Sequence, residues 1–166
     1  MLFRSEHLAT RCRWRNFREG QRVISRDATD RDVYMIVTGR LRVTSFSASG
    51  RQVTYRDLSA GDWFGDFAAI DGGSRSADVV ALESSLVAIM SALDFSDLLH
   101  EHPTVRERML KRLVASVREL TERVFDLSTL GVQNRVHAEV LRLARLAGVK
   151  ANVARIEPIP KHGDIA

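Results

Sequence analysis

Between residues 23 and 90 the apolar positions fall in short, β-branched stretches: 23–25, 33–37, 41–46, 51–58, 77–83 and 86–90. Gly20, Gly39, Gly50, Gly61 and the Gly72-Gly73 pair punctuate them. Strands of this length, with no helical run between them, predict a small antiparallel jelly roll or barrel. The alternation of Leu41, Val43 and Ser45 with Arg42 and Thr44 predicts a sheet that is wet on one face. From Ser91 the period changes. Ser91 and Asp94 make a capping box for a helix through Leu99, and Pro103 opens a second helix. In that helix Leu110, Leu113, Val117, Leu120, Val124 and Leu127 are spaced 3, 4, 3, 4, 3, an unbroken seam that needs an apolar partner along its length. Gly131 interrupts it, and Val136, Val140, Leu141, Ala144 and Leu146 carry helical spacing up to Gly148. Residues 3–18 mix Phe3, Leu8, Trp14 and Phe17 with five arginines and are too irregular to read beyond a short helix or arm lying on the body.

A chain of 166 residues suffices for one well-buried domain and an appendage. No stretch approaches the roughly 18 apolar residues of a membrane helix. The N-terminus also lacks the apolar core of a signal peptide, so a cytoplasmic protein without membrane contact is expected. The lone Cys12 excludes an internal disulfide framework and a four-cysteine iron–sulfur site. Charge is unevenly spread. Residues 1–20 carry five arginines against two acids, 21–103 eight against twelve, and 104–166 twelve bases against seven. The middle is therefore acidic, and an anion bound there must be held by a local device rather than a general field.

Residues 64–77 supply such a device. Phe64 and Gly65 make a tight turn that lets the backbone approach a ligand, and Asp66 opens a short helical turn with Phe67, Ala68 and Ala69. Arg75 can grip two phosphate oxygens with its planar fork, and Ser76 adds a donor before Ala77 starts the next apolar run. Asp66, when ionised, only accepts hydrogen bonds. It needs a donor such as a sugar hydroxyl.

These residues resemble the phosphate-binding cassette of cyclic-nucleotide-binding domains, most closely that of the catabolite activator and fumarate/nitrate regulator family of bacterial transcription factors. The family's glycine pattern is matched by Gly20 to Val23, by Tyr34, Ile36 and Gly39, and by Ala60, Gly61 and Asp62, while Asp27 stands where a family glycine falls. The resemblance implies a mainly β fold with α: an antiparallel jelly roll, a long dimerisation helix, and the start of a winged helix-turn-helix. The implied domains are a cyclic-nucleotide-binding roll with flanking short helices at 1–103, a dimerisation helix at 104–130, and the beginning of a DNA-binding domain at 131–166. The recognition helix would lie past Ala166, outside this chain. The implied ligand is cyclic AMP or cyclic GMP, with no metal.

Carried onto this sequence, the resemblance assigns the cyclic phosphate to Arg75 and Ser76, helped by the turn from Phe64 to Ala68 and by Ala77. Asp66 takes the ribose 2′-hydroxyl in place of a family glutamate one methylene longer. Leu120 and Thr121 fall where the nucleotide-responsive relatives hold the base with a Thr-Ser pair. Leu110, Leu113, Val117, Leu120, Val124 and Leu127 become the homodimer interface. The implied function is an effector-binding module that controls DNA binding allosterically. The alternative keeps the fold with a degenerate pocket, in which Arg75 merely salt-bridges Asp66. An enzyme of the cupin type would need histidines on the barrel strands, and His7, His100, His102, His137 and His162 all lie outside them.

Overall fold

The computed structural model describes residues 6–46 and 52–157. After a short helix α1 (Glu6–Thr10), the strands are β1 (Cys12–Phe17), β2 (Arg22–Ile24), β3 (Val33–Thr38), β4 (Arg40–Phe46), β5 (Gln52–Ser59), β6 (Trp63–Phe64), β7 (Asp78–Ala81) and β8 (Ser85–Met90). Helix α2 (Asp66–Asp71) lies between β6 and β7, and α3 (Ala92–Glu101), α4 (Pro103–Thr129) and α5 (Val132–Ala147) follow β8. Two four-stranded antiparallel sheets, ordered β1-β8-β3-β6 and β2-β7-β4-β5, form the jelly roll. The chain divides into two compact units after Arg106.

Pairing explains the core. Leu41 lies opposite both Leu58 and Ala81, and all three are buried in the cluster that Phe17, Ile36, Phe64 and Val87 complete. Arg42, opposite Asp57, points away and holds that carboxylate with two bonds of 2.7 and 2.9 Å. The expected alternation then fails at Thr44, which is fully buried although β4 stays in register with β7 through this position. The β4–β5 ladder shifts between Val43 and Thr44 by one extra residue on β5. Thr44 satisfies its hydroxyl by donating to the carbonyl of Val53 at 2.9 Å.

Residues 12–17 form an edge strand rather than an irregular arm, pairing from Cys12–Met90 to Phe17–Ser85. Only its two ends are buried, so the alternation that marks a strand is absent. Edge strands tolerate exposed charge, which is why arginines 13 and 15 sit there. The Ser91 cap forms as read, with its hydroxyl accepting from the Asp94 amide at 3.1 Å, and α3 runs two residues further than expected.

In the second unit α4 continues the helix begun at Pro103, 27 residues spanning about 40 Å. Leu110, Val117, Leu120 and Val124 are each more than half exposed and Leu113 is half-buried, while the side chain of Leu127 lies outside the description. Arg142 on α5 bonds Glu139 at 2.8 and 2.6 Å and approaches Glu119 of α4 at 3.6 Å. After α5 a tight turn at Ala151 and Asn152, both with positive φ, bridges Lys150 to Val153. Residues 158–166, the last nine of the stretch read as the start of a helix-turn-helix, lie outside the described residues.

Candidate ligand-binding site

The cassette is built on the pairing of β6 with β3, which sets Phe64 opposite Tyr34 and stacks their rings at 5.1 Å. Gly65 follows with φ +82°, a conformation that favours glycine, and turns the chain into α2. A Cβ there would meet Arg75 Nη1 at 2.6 Å and the Asp32 carbonyl at 2.8 Å, so glycine is also required by space. Asp66 is the first residue of α2 and is buried, as is Ala68, whose carbonyl accepts from the amide of Gly72. Asp71 then accepts from the amide of Gly73 at 2.8 Å and shapes the loop that delivers Arg75.

Arg75 is 3% exposed. Its Nη1 donates to the carbonyl of Gly65 at 2.9 Å. Its Nη2 donates to the carbonyl of Asp32 at 2.8 Å and to the Asp30 carboxylate at 2.6 and 3.2 Å. The guanidinium carbon sits 5.6 Å from the centre of the Tyr34 ring. Tyr34 in turn donates its hydroxyl to Asp30 at 3.4 Å. Burial, reinforced by the negative charge of Asp30, pushes the Tyr34 phenol up to about 12. Two groups are left over. The Nε–H of Arg75 is buried without an acceptor, and among the described residues no hydrogen bond or ion pair engages the Asp66 carboxylate. A buried donor without an acceptor costs about 1–3 kcal/mol. Among the described residues the site therefore offers a donor atom without an acceptor and, one residue beyond the Gly65 carbonyl that Arg75 holds, a carboxylate without a donor.

The family model described as "Cyclic nucleotide-binding domain" matches residues 14–102. The chain belongs to this family. Among curated relatives of this cyclic nucleotide-binding domain is the Cyclic AMP receptor protein of Thermus thermophilus, 26% identical over 131 residues, which cover 79% of this chain and 61% of the relative. The Pycsar effector protein PaPycTIR of Pseudomonas aeruginosa is 34% identical over 103 residues, 61% of this chain and 32% of that protein. The chain thus spans less than two thirds of either relative. The crystal structure of the Thermus thermophilus Catabolite Activator Protein shares the fold, with a TM-score of 0.68 at 24% identity over 89% of this chain and 71% of that one. Similarity to transcription regulators accords with the resemblance carried by the cassette and the glycines.

Of the cassette residues, Phe64, Asp66, Ala68, Arg75 and Ala77 are buried together around the Gly65 turn, while Phe67 and Ser76 are exposed. Leu120 and Thr121 belong to α4 in the second unit, where Thr121 donates its hydroxyl to the carbonyl of Val117 at 2.9 Å and keeps its lone pairs for accepting. The alternative in which Arg75 pairs with Asp66 is not what forms: the carboxylate on Arg75 is that of Asp30. The Gly65 turn draws the guanidinium under the start of β3, within reach of the loop before it. Sequence reasoning missed Asp30 and the Asp32 carbonyl, which are 45 and 43 residues from Arg75. It used Tyr34 only as a turn marker, although the ring is a wall of the site.

Among the described residues no group of three or more His, Cys, Asp and Glu could hold a metal ion, and no helix is long and apolar enough to cross a membrane.

Proposed function

We propose that this chain is the effector-binding and dimerisation part of a bacterial transcription regulator, with a cyclic nucleotide, cyclic AMP or cyclic GMP, as its effector. The observation that carries the reading is a pair of groups in the cassette: the buried Arg75 Nε–H lacks an acceptor, and among the described residues nothing donates to the Asp66 carboxylate. A cyclic phosphate supplies the first and a ribose hydroxyl the second. Phe64, Gly65, Phe67, Ala68, Ser76 and Ala77 frame that contact, and by resemblance Leu120 and Thr121 take the positions that hold the base in the nucleotide-responsive relatives. The exposed apolar row of α4 supports a homodimer, since a surface helix does not stably present such a seam to water. Residues 131–166 begin the helix-turn-helix through which DNA is bound. A ligand that fits one arrangement of roll and helix better shifts the dimer's population. The role is regulatory rather than enzymatic, in the cytoplasm, and uses no metal.

A second reading, a roll that binds no nucleotide, draws support from the engagement of Arg75 Nη2 by Asp30. Calorimetry with cyclic AMP and cyclic GMP separates the two. Binding that is abolished in Arg75→Ala and tightened in Asp66→Glu supports the nucleotide site; no heat with either nucleotide, well into the millimolar range, refutes it.

A further inference from the structure

We propose that Asp30 is a built-in counter-ion that the ligand's phosphate must displace from Arg75, and that this exchange lets the site reject simple anions. The inference rests on the nucleotide-binding reading and names the residue that sets its selectivity. Both hydrogens of Arg75 Nη2 have acceptors in the structure, Asp30 and the carbonyl of Asp32, and Nη1 is held by the carbonyl of Gly65. Nε has no acceptor at all, and Nη1 uses one of its two hydrogens. An anion that takes the Nε–Nη2 edge with two oxygens, the usual fork geometry, must share Nη2 with a carboxylate of like charge.

The two partners differ in how readily they move. The side chain of Arg75 is 2% exposed and that of Asp30 is 39% exposed, on the loop between β2 and β3. Arg75 is held by two backbone carbonyls and by Tyr34, whereas Asp30 reaches water by rotating its side chain. Asp32 is not a competing counter-ion, because its carboxylate is paired with Arg13. So the exchangeable member is Asp30. Tethered to the same chain, it acts at high effective concentration, and a free inorganic anion gains nothing by replacing it. A cyclic nucleotide gains the unmatched Asp66 in addition, because its hydroxyl is a donor that inorganic phosphate at Asp66 does not usefully provide beside its own charge. Selectivity thus arises from an occupied arginine next to an empty acceptor.

The test uses the whole chain as wild type, Asp30→Asn and Asp30→Ser, both of which leave Nη2 an acceptor while removing the charge. Circular dichroism checks the fold, and the serine variant serves if the asparagine variant is unfolded. Melting is followed with inorganic phosphate against chloride at equal ionic strength, and binding of cyclic AMP and cyclic GMP is measured by calorimetry. The expected result is that phosphate stabilises the variants but not wild type, that the gain vanishes when Arg75→Ala is added, and that nucleotide binding tightens about tenfold. If wild type binds nucleotide and the folded variants bind it no tighter, Asp30 supports Arg75 rather than competing for it and the proposal is overturned. If the variants gain the phosphate response while no chain binds a nucleotide, the counter-ion assignment holds and the nucleotide reading is what falls.

Discussion

Replacing Gly65 by alanine probes the cassette where backbone and guanidinium meet. Two costs add at this position. A non-glycine residue held at φ +82° loses about 1–2 kcal/mol. The new Cβ also falls 2.6 Å from Arg75 Nη1 and 2.8 Å from the Asp32 carbonyl, and the second of these is backbone that does not swing aside. Relief of the first contact moves Arg75 and breaks its bond to the Gly65 carbonyl, a charge-assisted bond worth about 1.5–3 kcal/mol, and the second contact adds to that cost. The total is roughly 3–5 kcal/mol. Gly61 is the internal control, because its φ is +92° and an added Cβ meets nothing within 4 Å, so Gly61→Ala bears only the conformational cost. Urea unfolding followed by tryptophan fluorescence reports the right unit, since Trp14 and Trp63 are the chain's two tryptophans and both lie in the jelly roll. Gly65→Ala should be less stable than Gly61→Ala by about 2–3 kcal/mol. It alone of the two should also lose nucleotide binding. Equal stabilities, or unchanged binding in Gly65→Ala, would refute the claim that this turn clamps the guanidinium.

Two further outcomes are expected. Replacing Leu113 and Leu120 by glutamate should convert the proposed dimer to monomers in light scattering, because each apolar side chain removed from a helix interface forfeits about 1.5–3 kcal/mol and gains a buried charge; an unchanged mass would count against the α4 seam. For Tyr34, burial and then Asp30 raise the folded pKa from 10.0 to about 12, so the folded state holds this proton more tightly than the unfolded chain. The resulting stability is complete below pH 10 and is lost as pH rises toward 12. Over that range wild type should lose on the order of 2–3 kcal/mol more than Tyr34→Phe. Parallel pH profiles in the two proteins would show that the phenol is not so placed.

How much of this was legible in the residues differs from element to element. The strands around Leu41 and Leu58 carried their own alternation, and the Gly20, Gly39 and Gly61 turns separated them. Strand β1 did not announce itself, because an edge strand buried only at Cys12 and Phe17 has no period to read. Thr44 was read as facing water and is fully buried, because burial depends on what the fold packs around a residue and not only on the alternation of its own strand. The capping box at Ser91 and the α4 seam were local and regular, and the structure leaves most of that seam exposed as an unpartnered row.

By itself the sequence determined which residues the cassette would use: a glycine turn, a short acid at Asp66 and the arginine at position 75, all within a few turns of chain. Their spacing along a local segment is enough to read, because backbone turns and short helices are short-range structures. Only the tertiary structure decided what Arg75 does before a ligand arrives. The β3–β6 pairing brings Tyr34, the Asp32 carbonyl and Asp30 against it from more than forty residues away. Which charges meet in a site depends on how the sheet closes, and no local pattern in the chain encodes that.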